Sequence, residues 1–304
     1  VVLLSTAAAA RAETSVSLGA SFAPYRLGAR TTIGLNFQVE APPGEVPSAL
    51  TDAEVRYPPD LGIALSGLGL AVCSPSTLEA SGTSGCPANS IMGRGNAIAE
   101  LRFGSQIVSE SATISIARAP DQAGHIALLL YVSGPSPVNT QILSPAQLLP
   151  AGGQFGGRLN IDVPLIASVP GAPDLAIIQM RVTIGPQGLT YFEQLGGQTL
   201  AYRPKGILLP PRCPRGGFPF VGIFTFADGR RVTARKAVPC PDRRAAARVA
   251  SAPERDLRCG QKCVDKHSIR GNRLYQNVYT YSNGVLHTDS QRSSRRRHHS
   301  IGSR

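Results

Sequence analysis

The chain has 304 residues and a mass of 31.9 kDa, which suits one large domain or two ordinary ones and excludes a mini-protein. Hydrophobic residues make up 42%, charged residues only 16%, and Gly 32 with Pro 25 about 19% of the chain. This composition excludes helical bundles, coiled coils, collagen and low-complexity chains, and leaves a turn-rich globule. The formal net charge is +12, but residues 1–240 carry 17 Lys and Arg against 14 Asp and Glu, while residues 241–304 carry 14 against 5. A basic face spread over the whole fold, as nucleic-acid binding would need, is therefore excluded, and only the C-terminal segment has a positive excess.

The first residues, Val1-Val2-Leu3-Leu4-Ser5-Thr6 followed by four alanines, form an apolar run that ends in Ala10-Arg11-Ala12. Small residues at the two positions a signal peptidase reads predict that residues 1–12 are the remnant of a secretory signal and that the mature chain starts at Glu13. The longest later apolar run, Ile126 to Val132, is strand-length, so no membrane-spanning helix is expected.

Residues 13–240 read as an all-β body. Thr31 to Val39 puts Thr31, Ile33, Leu35, Phe37 and Val39 on one face with period 2, the pattern of a half-buried strand. Similar runs follow at Ala53–Tyr57, Ala97–Phe103, Ile107–Ala117, His125–Val132, Leu159–Val163, Leu175–Ile184, Phe218–Phe226 and Arg231–Val238, each bounded by Gly or Pro. Short strands at this spacing predict an antiparallel β-sandwich or barrel, either one large sandwich or two packed ones divided near residues 119–137. Helix is expected only as single turns at Ser76–Ala80 and Ser144–Leu149. Ala227-Asp228-Gly229-Arg230 is the clearest hairpin, since Asp-Gly supplies the positive φ angles of a tight turn.

Six cysteines fall into neighbouring pairs. Cys73 with Cys86 and Cys213 with Cys240 bracket turn-rich segments, which predicts two disulfides in an oxidising compartment, the second pinning the outer ends of the hairpin. Cys259-x3-Cys263-x3-His267 offers three zinc ligands where a structural site wants four, so a third disulfide, free thiols and zinc remain open there. Beyond Cys240 the composition changes abruptly. Residues 241–304 are basic and poor in apolar residues, and a largely disordered tail is expected, with one hairpin from Tyr275 to Tyr281 turning at Asn283-Gly284. A segment translated out of frame would show the same break in composition.

Chemistry is sparse. His125 is the only histidine of residues 1–240 and starts a strand; Ser84 misses a nucleophile elbow. Gly93-Arg94-Gly95-Asn96-Ala97 lacks the third glycine and the helix of a dinucleotide fingerprint and reads as a turn before a strand. Glu54, Asp60, Asp162, Asp174 and Asp228 are expected in turns and on exposed strand faces, although a glycosidase pair needs no motif. No catalytic residue, cofactor or metal ligand is assigned.

Several phrases resemble a group of uncharacterised exported proteins of high-GC actinobacteria: Arg56-Tyr57-Pro58-Pro59-Asp60-Leu61-Gly62, Cys86-Pro87-Ala88-Asn89-Ser90, and Cys213-Pro214-Arg215-Gly216-Gly217-Phe218-Pro219-Phe220 running to Val238-Pro239-Cys240-Pro241. The resemblance spans about residues 25–241. It implies export and a β-rich, disulfide-bearing fold, with no activity and no site residues. The expectation is an exported, non-enzymatic module that binds or decorates the cell envelope, of unknown ligand. The alternative is a secreted glycan or ester hydrolase whose acids converge only in three dimensions. Arg295, Arg296 and Arg297 are candidate contacts to an anionic envelope polymer.

Overall fold

Alternating apolar and polar residues can bury one face of a strand only if its neighbours bury theirs on the same side. The computed structural model describes residues 13–134, 140–166 and 174–241, together with the backbone of three strands between 262 and 292. Within residues 13–241 the strands are β1 (Ser15–Ala23), β2 (Arg30–Glu40), β3 (Leu50–Tyr57), β4 (Ile91–Phe103), β5 (Gln106–Gln122), β6 (His125–Gly134) and β7 (Thr140–Pro150). Then follow β8 (Gly157–Asp162), β9 (Ala176–Ile184), β10 (Tyr191–Leu195), β11 (Gln198–Tyr202), β12 (Ile207–Leu208), β13 (Phe218–Phe226) and β14 (Arg231–Val238).

One 12-stranded antiparallel sheet carries the body, in the order β1-β2-β9-β4-β5-β6-β7-β8-β3-β13-β14, with β12 added beside β2. Its two ends meet, because β14 lies alongside β1. The sheet is thus a nearly closed barrel. Ten antiparallel steps leave the first and last strands running the same way, and no strand pairing forms across this seam among the described residues. Side chains bridge it instead. Arg230 donates from Nη1 to Thr14 Oγ1 at 3.0 Å at one end, and the Tyr25 hydroxyl donates to the Pro239 carbonyl at the other.

The inward faces follow the expected period. Ile33, Phe37 and Val39 are buried on β2, Ile114 and Ile116 on β5, and Phe218, Phe220, Phe224 and Phe226 on β13. Phe37 meets Phe224 with ring centroids 5.0 Å apart, while Phe22 packs edge-on to Phe218 at 5.5 Å. Residues 119–122 end β5, with Ala119 opposite Ala127 and Gln122 opposite His125, and Ala123-Gly124 turn the chain into β6 within this one sheet. They do not divide the body in two.

Three local expectations are corrected. Ser144–Leu149 is not a helical turn but the middle of β7, flanked by β6 and β8, because Ile142, Ser144 and Ala146 alternate inward and two neighbours supply ladder partners. Pro145 fits this strand because the pairing with β8 begins only at Ala146. Gly93 and Gly95 are not a turn; they lie inside β4, where a Cβ on Gly95 would sit 2.1 Å from the Arg181 carbonyl oxygen and one on Gly93 2.3 Å from that of Thr183. In the Asp228-Gly229 turn only Gly229 takes a positive φ, 82°. Asp228 instead accepts from the Arg230 N–H at 3.0 Å and pairs with its guanidinium at 2.6 Å.

The barrel end bearing the C-termini of β3 and β5 is covered by residues 58–90 and 185–217. The short helix α1 (Pro75–Ser81) is capped by Ser74, whose hydroxyl accepts from the Thr77 N–H, and it buries Leu78. Cys73–Cys86 and Cys213–Cys240 are both bonded, as their spacing predicts. Tyr191 is fully buried in this layer. It donates to the Ile91 carbonyl at 2.6 Å, accepts from the Gly69 N–H, and packs edge-on against Tyr202.

Residues 243–304 form a separate unit. In it β15 (Lys262–Arg270), β16 (Arg273–Ser282) and β17 (Val285–Arg292) make a three-stranded antiparallel sheet, adding β15 and a register shift to the hairpin expected at Tyr275–Tyr281. Residues 1–12, Cys259 and Arg295 to Arg297 lie outside the described residues, as do the side chains of Cys263 and His267.

Two outcomes follow from this packing. The double variant Cys213→Ser with Cys240→Ser should unfold in urea with a loss of roughly 3 kcal/mol, since cross-linking a 27-residue separation removes that much chain entropy from the unfolded state. Desolvation by burial pushes the Tyr191 hydroxyl up from 10.0 to about 12. Its contribution to stability is complete below pH 10 and is lost as pH rises from 10 to 12, where the unfolded chain ionises first. Tyr191→Phe should flatten the alkaline fall in urea midpoint and cost about 1–2 kcal/mol at pH 7 by orphaning the Ile91 carbonyl.

Candidate functional site

Along β5 the outward positions are Ser109, Ser111, Thr113 and Ser115, and the inward ones Glu110, Ala112, Ile114 and Ile116. Ala97 and Ala99 on β4, Ala53 on β3 and Gly134 on β6 face the same space. Where β13 fills its part of the barrel with phenylalanines, these small residues leave an apolar void of about 60 Å³. A protein interior is normally packed to crystal density, so a void of this size is a definite feature.

A second void, of about 20 Å³, lies one inward layer deeper, lined by Val55, Ile116, Leu128, Leu159, Val182 and Ile184 among others. Val55, Ile116, Leu128, Leu159 and Val182 are each two residues along their strands from an inward residue of the first layer. Phe37, Leu130, Ile161 and Met180 touch both voids and form the collar between them. Among the described residues Glu110 is the one ionisable side chain lining the larger void; it is only 6% exposed and occupies its outermost position on β5. Its carboxylate lies over Gly134, where a Cβ would come within 2.9 Å of Oε1. At the same barrel end the large apolar side chains Phe103, Ile107 and Leu165 are exposed.

The carboxylates expected in turns and on exposed faces are distributed unevenly. Asp60 and Asp228 are in turns, Asp60 at a φ of 62°. Glu54 corrects the expectation: it is only 9% exposed, held by the Arg56 Nε at 2.5 Å. Asp52 and Asp162 are direct cross-strand partners on the outer face of β3 and β8. Burial, then the nearby Asp162 and Glu54 charges, push the Asp52 carboxyl above the usual aspartate range, partly offset by Arg231. This group lies on an outer sheet face and not in a cleft.

Two open clefts also occur among the described residues. One, of about 510 Å³, is lined by Glu13, Glu45, Arg230 and neighbouring prolines; it holds no aromatic platform for a sugar ring, and its Arg230 is already held by Asp228 and Thr14. The other, of about 360 Å³, brings His125 beside Tyr57 and Asp60 at the covered barrel end. Ser84 donates to the Ser81 carbonyl inside a 3₁₀ turn and serves as a local cap. Among the described residues no group of three His, Cys, Asp or Glu is placed to hold a metal ion, and no helix is long and apolar enough to cross a membrane.

Sequence reasoning missed the void because lining residues such as Ala99, Ala112 and Met180 carry no chemical signature. A signal was nevertheless present: the strict Ser/Thr alternation from 109 to 115 puts Glu110 on the apolar face of its strand. No protein-family model matches the chain, and no curated protein or solved structure matches it.

Asp52→Asn should raise the urea midpoint at pH 7 and leave it unchanged at pH 3. A carboxyl whose folded pKa is raised loses stability as pH climbs above the ordinary aspartate range, and the amide never ionises.

Proposed function

We propose that this protein is an exported, non-enzymatic binding module, and that the apolar void inside its barrel is where it takes a small apolar group. The observation that carries this reading is the void itself: about 60 Å³, walled mainly by alanines and aliphatic side chains, in a barrel whose β13 wall is filled by phenylalanines. Apolar cavities of comparable kind stay dry and accept apolar guests, because water inside them finds too few hydrogen-bond partners. Export is supported by the A-x-A pattern at Ala10 to Ala12 and by two disulfides, which persist in oxidising compartments. Attachment to an anionic envelope polymer through Arg295, Arg296 and Arg297 rests on the charge of the C-terminal segment alone. The resemblance to exported actinobacterial proteins fits the same picture.

Xenon tests the site. Methyl NMR of the folded protein under xenon pressure should show saturable shifts at Ala97, Ala112, Ile114 and Ile177, which Ala112→Leu removes by filling the space. Shifts that stay linear in xenon pressure, or that survive Ala112→Leu, would overturn the reading. Non-reducing peptide mapping of protein recovered from culture medium tests export; the expected result is a chain starting at Glu13.

A further inference from the structure

We infer that the outer face of β2, β9, β4 and β5 is a docking surface for an acidic polysaccharide, a chain of sugars bearing carboxylates, held by Arg94 and Arg181. The inference concerns the outside of the barrel and does not depend on the void. Antiparallel register lays the outward residues of these strands in rows across the sheet. Asn36 on β2 lies opposite Arg181 on β9, Arg181 opposite Asn96 on β4, and Asn96 opposite Thr113 on β5. One row toward the covered end, Thr183, Arg94 and Ser115 are in line. One row the other way come Gln38, Gln179 and, past Ile98, Ser111. These three rows hold two arginines and no carboxylate. The next outward carboxylates, Glu40 on β2 and Glu100 on β4, stand one row farther out, two residues beyond Gln38 and Ile98.

Arg94 and Arg181 sit on neighbouring strands offset by two residues, so they are diagonal neighbours roughly 7–8 Å apart, within reach of long side chains. Both are exposed, and neither has a salt bridge or side-chain hydrogen bond among the described residues, whereas Arg56, Arg118 and Arg230 are each paired with a carboxylate. Two like charges so placed repel each other, and a carboxylate accepting from both removes that cost. The surroundings select a sugar chain. Asn36, Asn96, Gln38 and Gln179 keep amide donors and acceptors with no side-chain partner among the described residues, which suits hydroxyl groups. Thr183 and Thr113 donate to the carbonyls of Arg94 at 3.2 Å and Ser133 at 3.3 Å, which leaves their lone pairs to accept. Nucleic acid is disfavoured, because two cations neutralise few phosphates and these rows offer no aromatic ring on which a base could stack. With strands about 4.8 Å apart and residues rising about 3.4 Å, the patch spans roughly 14 Å each way, the reach of a short oligosaccharide.

Isothermal titration of the full chain with a short oligogalacturonate, and with its uncharged methyl ester, tests this. The acidic oligomer should bind saturably and the ester roughly tenfold more weakly or worse. Arg94→Gln combined with Arg181→Gln should weaken the acidic oligomer by roughly tenfold or more, because hydrogen bonds to charged groups are the strong ones. Arg94→Lys with Arg181→Lys, which keeps the charge and loses the planar fork, should recover only part of that loss. Neither double variant should lower the urea midpoint, since both side chains are exposed. Replacing Arg295, Arg296 and Arg297 by Gln should leave the affinity unchanged, which separates this face from the C-terminal segment. Amide shifts on binding should map to Arg181, Asn96 and Thr113. Equal binding of the ester, unaltered affinity in the Arg94 and Arg181 glutamine variant, loss confined to the C-terminal variant, or tighter binding of a polyphosphate of the same charge would sink the inference.

Discussion

Eleven strands share one interior, and that constraint governs everything else in the body. A closed or nearly closed sheet has a single inside, so each strand must present its apolar residues in register with both neighbours, and a slip of one residue would turn its set out to solvent. The ladder holds this register everywhere but at β1 and β14. There the closure depends on side chains: Arg230 to Thr14 at one end, Tyr25 to Pro239 at the other, and the Phe22, Tyr25 and Phe218 rings packed behind the seam. Cys213–Cys240 fixes the outer end of the β13–β14 hairpin beside it. The covalent staple thus sits where the hydrogen-bonded sheet is weakest.

Volume is distributed unequally around that interior. Four phenylalanines of β13 fill one wall, and Tyr191, Leu78, Ile207 and Leu209 seal the covered end. At the far end the inward positions of β3, β4 and β5 include Ala53, Ala97, Ala99 and Ala112, and Gly134 makes room for the Glu110 carboxylate. Lining atoms without partners forfeit dispersion energy, so such a void costs stability that a guest would return. Larger residues at Ala97, Ala99 or Ala112 would have recovered it without a guest.

Polar groups on the outside tell a different story. Asp52, Glu54 and Asp162 gather on the outer face of β3 and β8 with Arg56 close by, yet the convex side of a sheet offers no enclosure for a reacting bond. The proximity of these carboxylates raises one pKa and weakens the fold slightly.

Much of the architecture was legible in the chain. Period 2 located β2, and short apolar runs between Gly or Pro turns located β3, β4, β5, β6, β8, β9, β13 and β14, because burial on one face is a local property of the strand's own residues. Cysteine spacing found both disulfides, since a bond between near neighbours in sequence needs little from the rest of the fold. What escaped were strands whose pattern is interrupted, such as β7 with Pro145 and the glycine-bearing start of β4, whose identity depends on neighbours far away in sequence. Closure of the sheet, the inward burial of Glu110 and the void beside it belong to tertiary structure alone. An alanine looks the same on any strand; only the meeting of β3, β4, β5, β6 and β9 around one space decides whether its small size is filled by a neighbour or left empty.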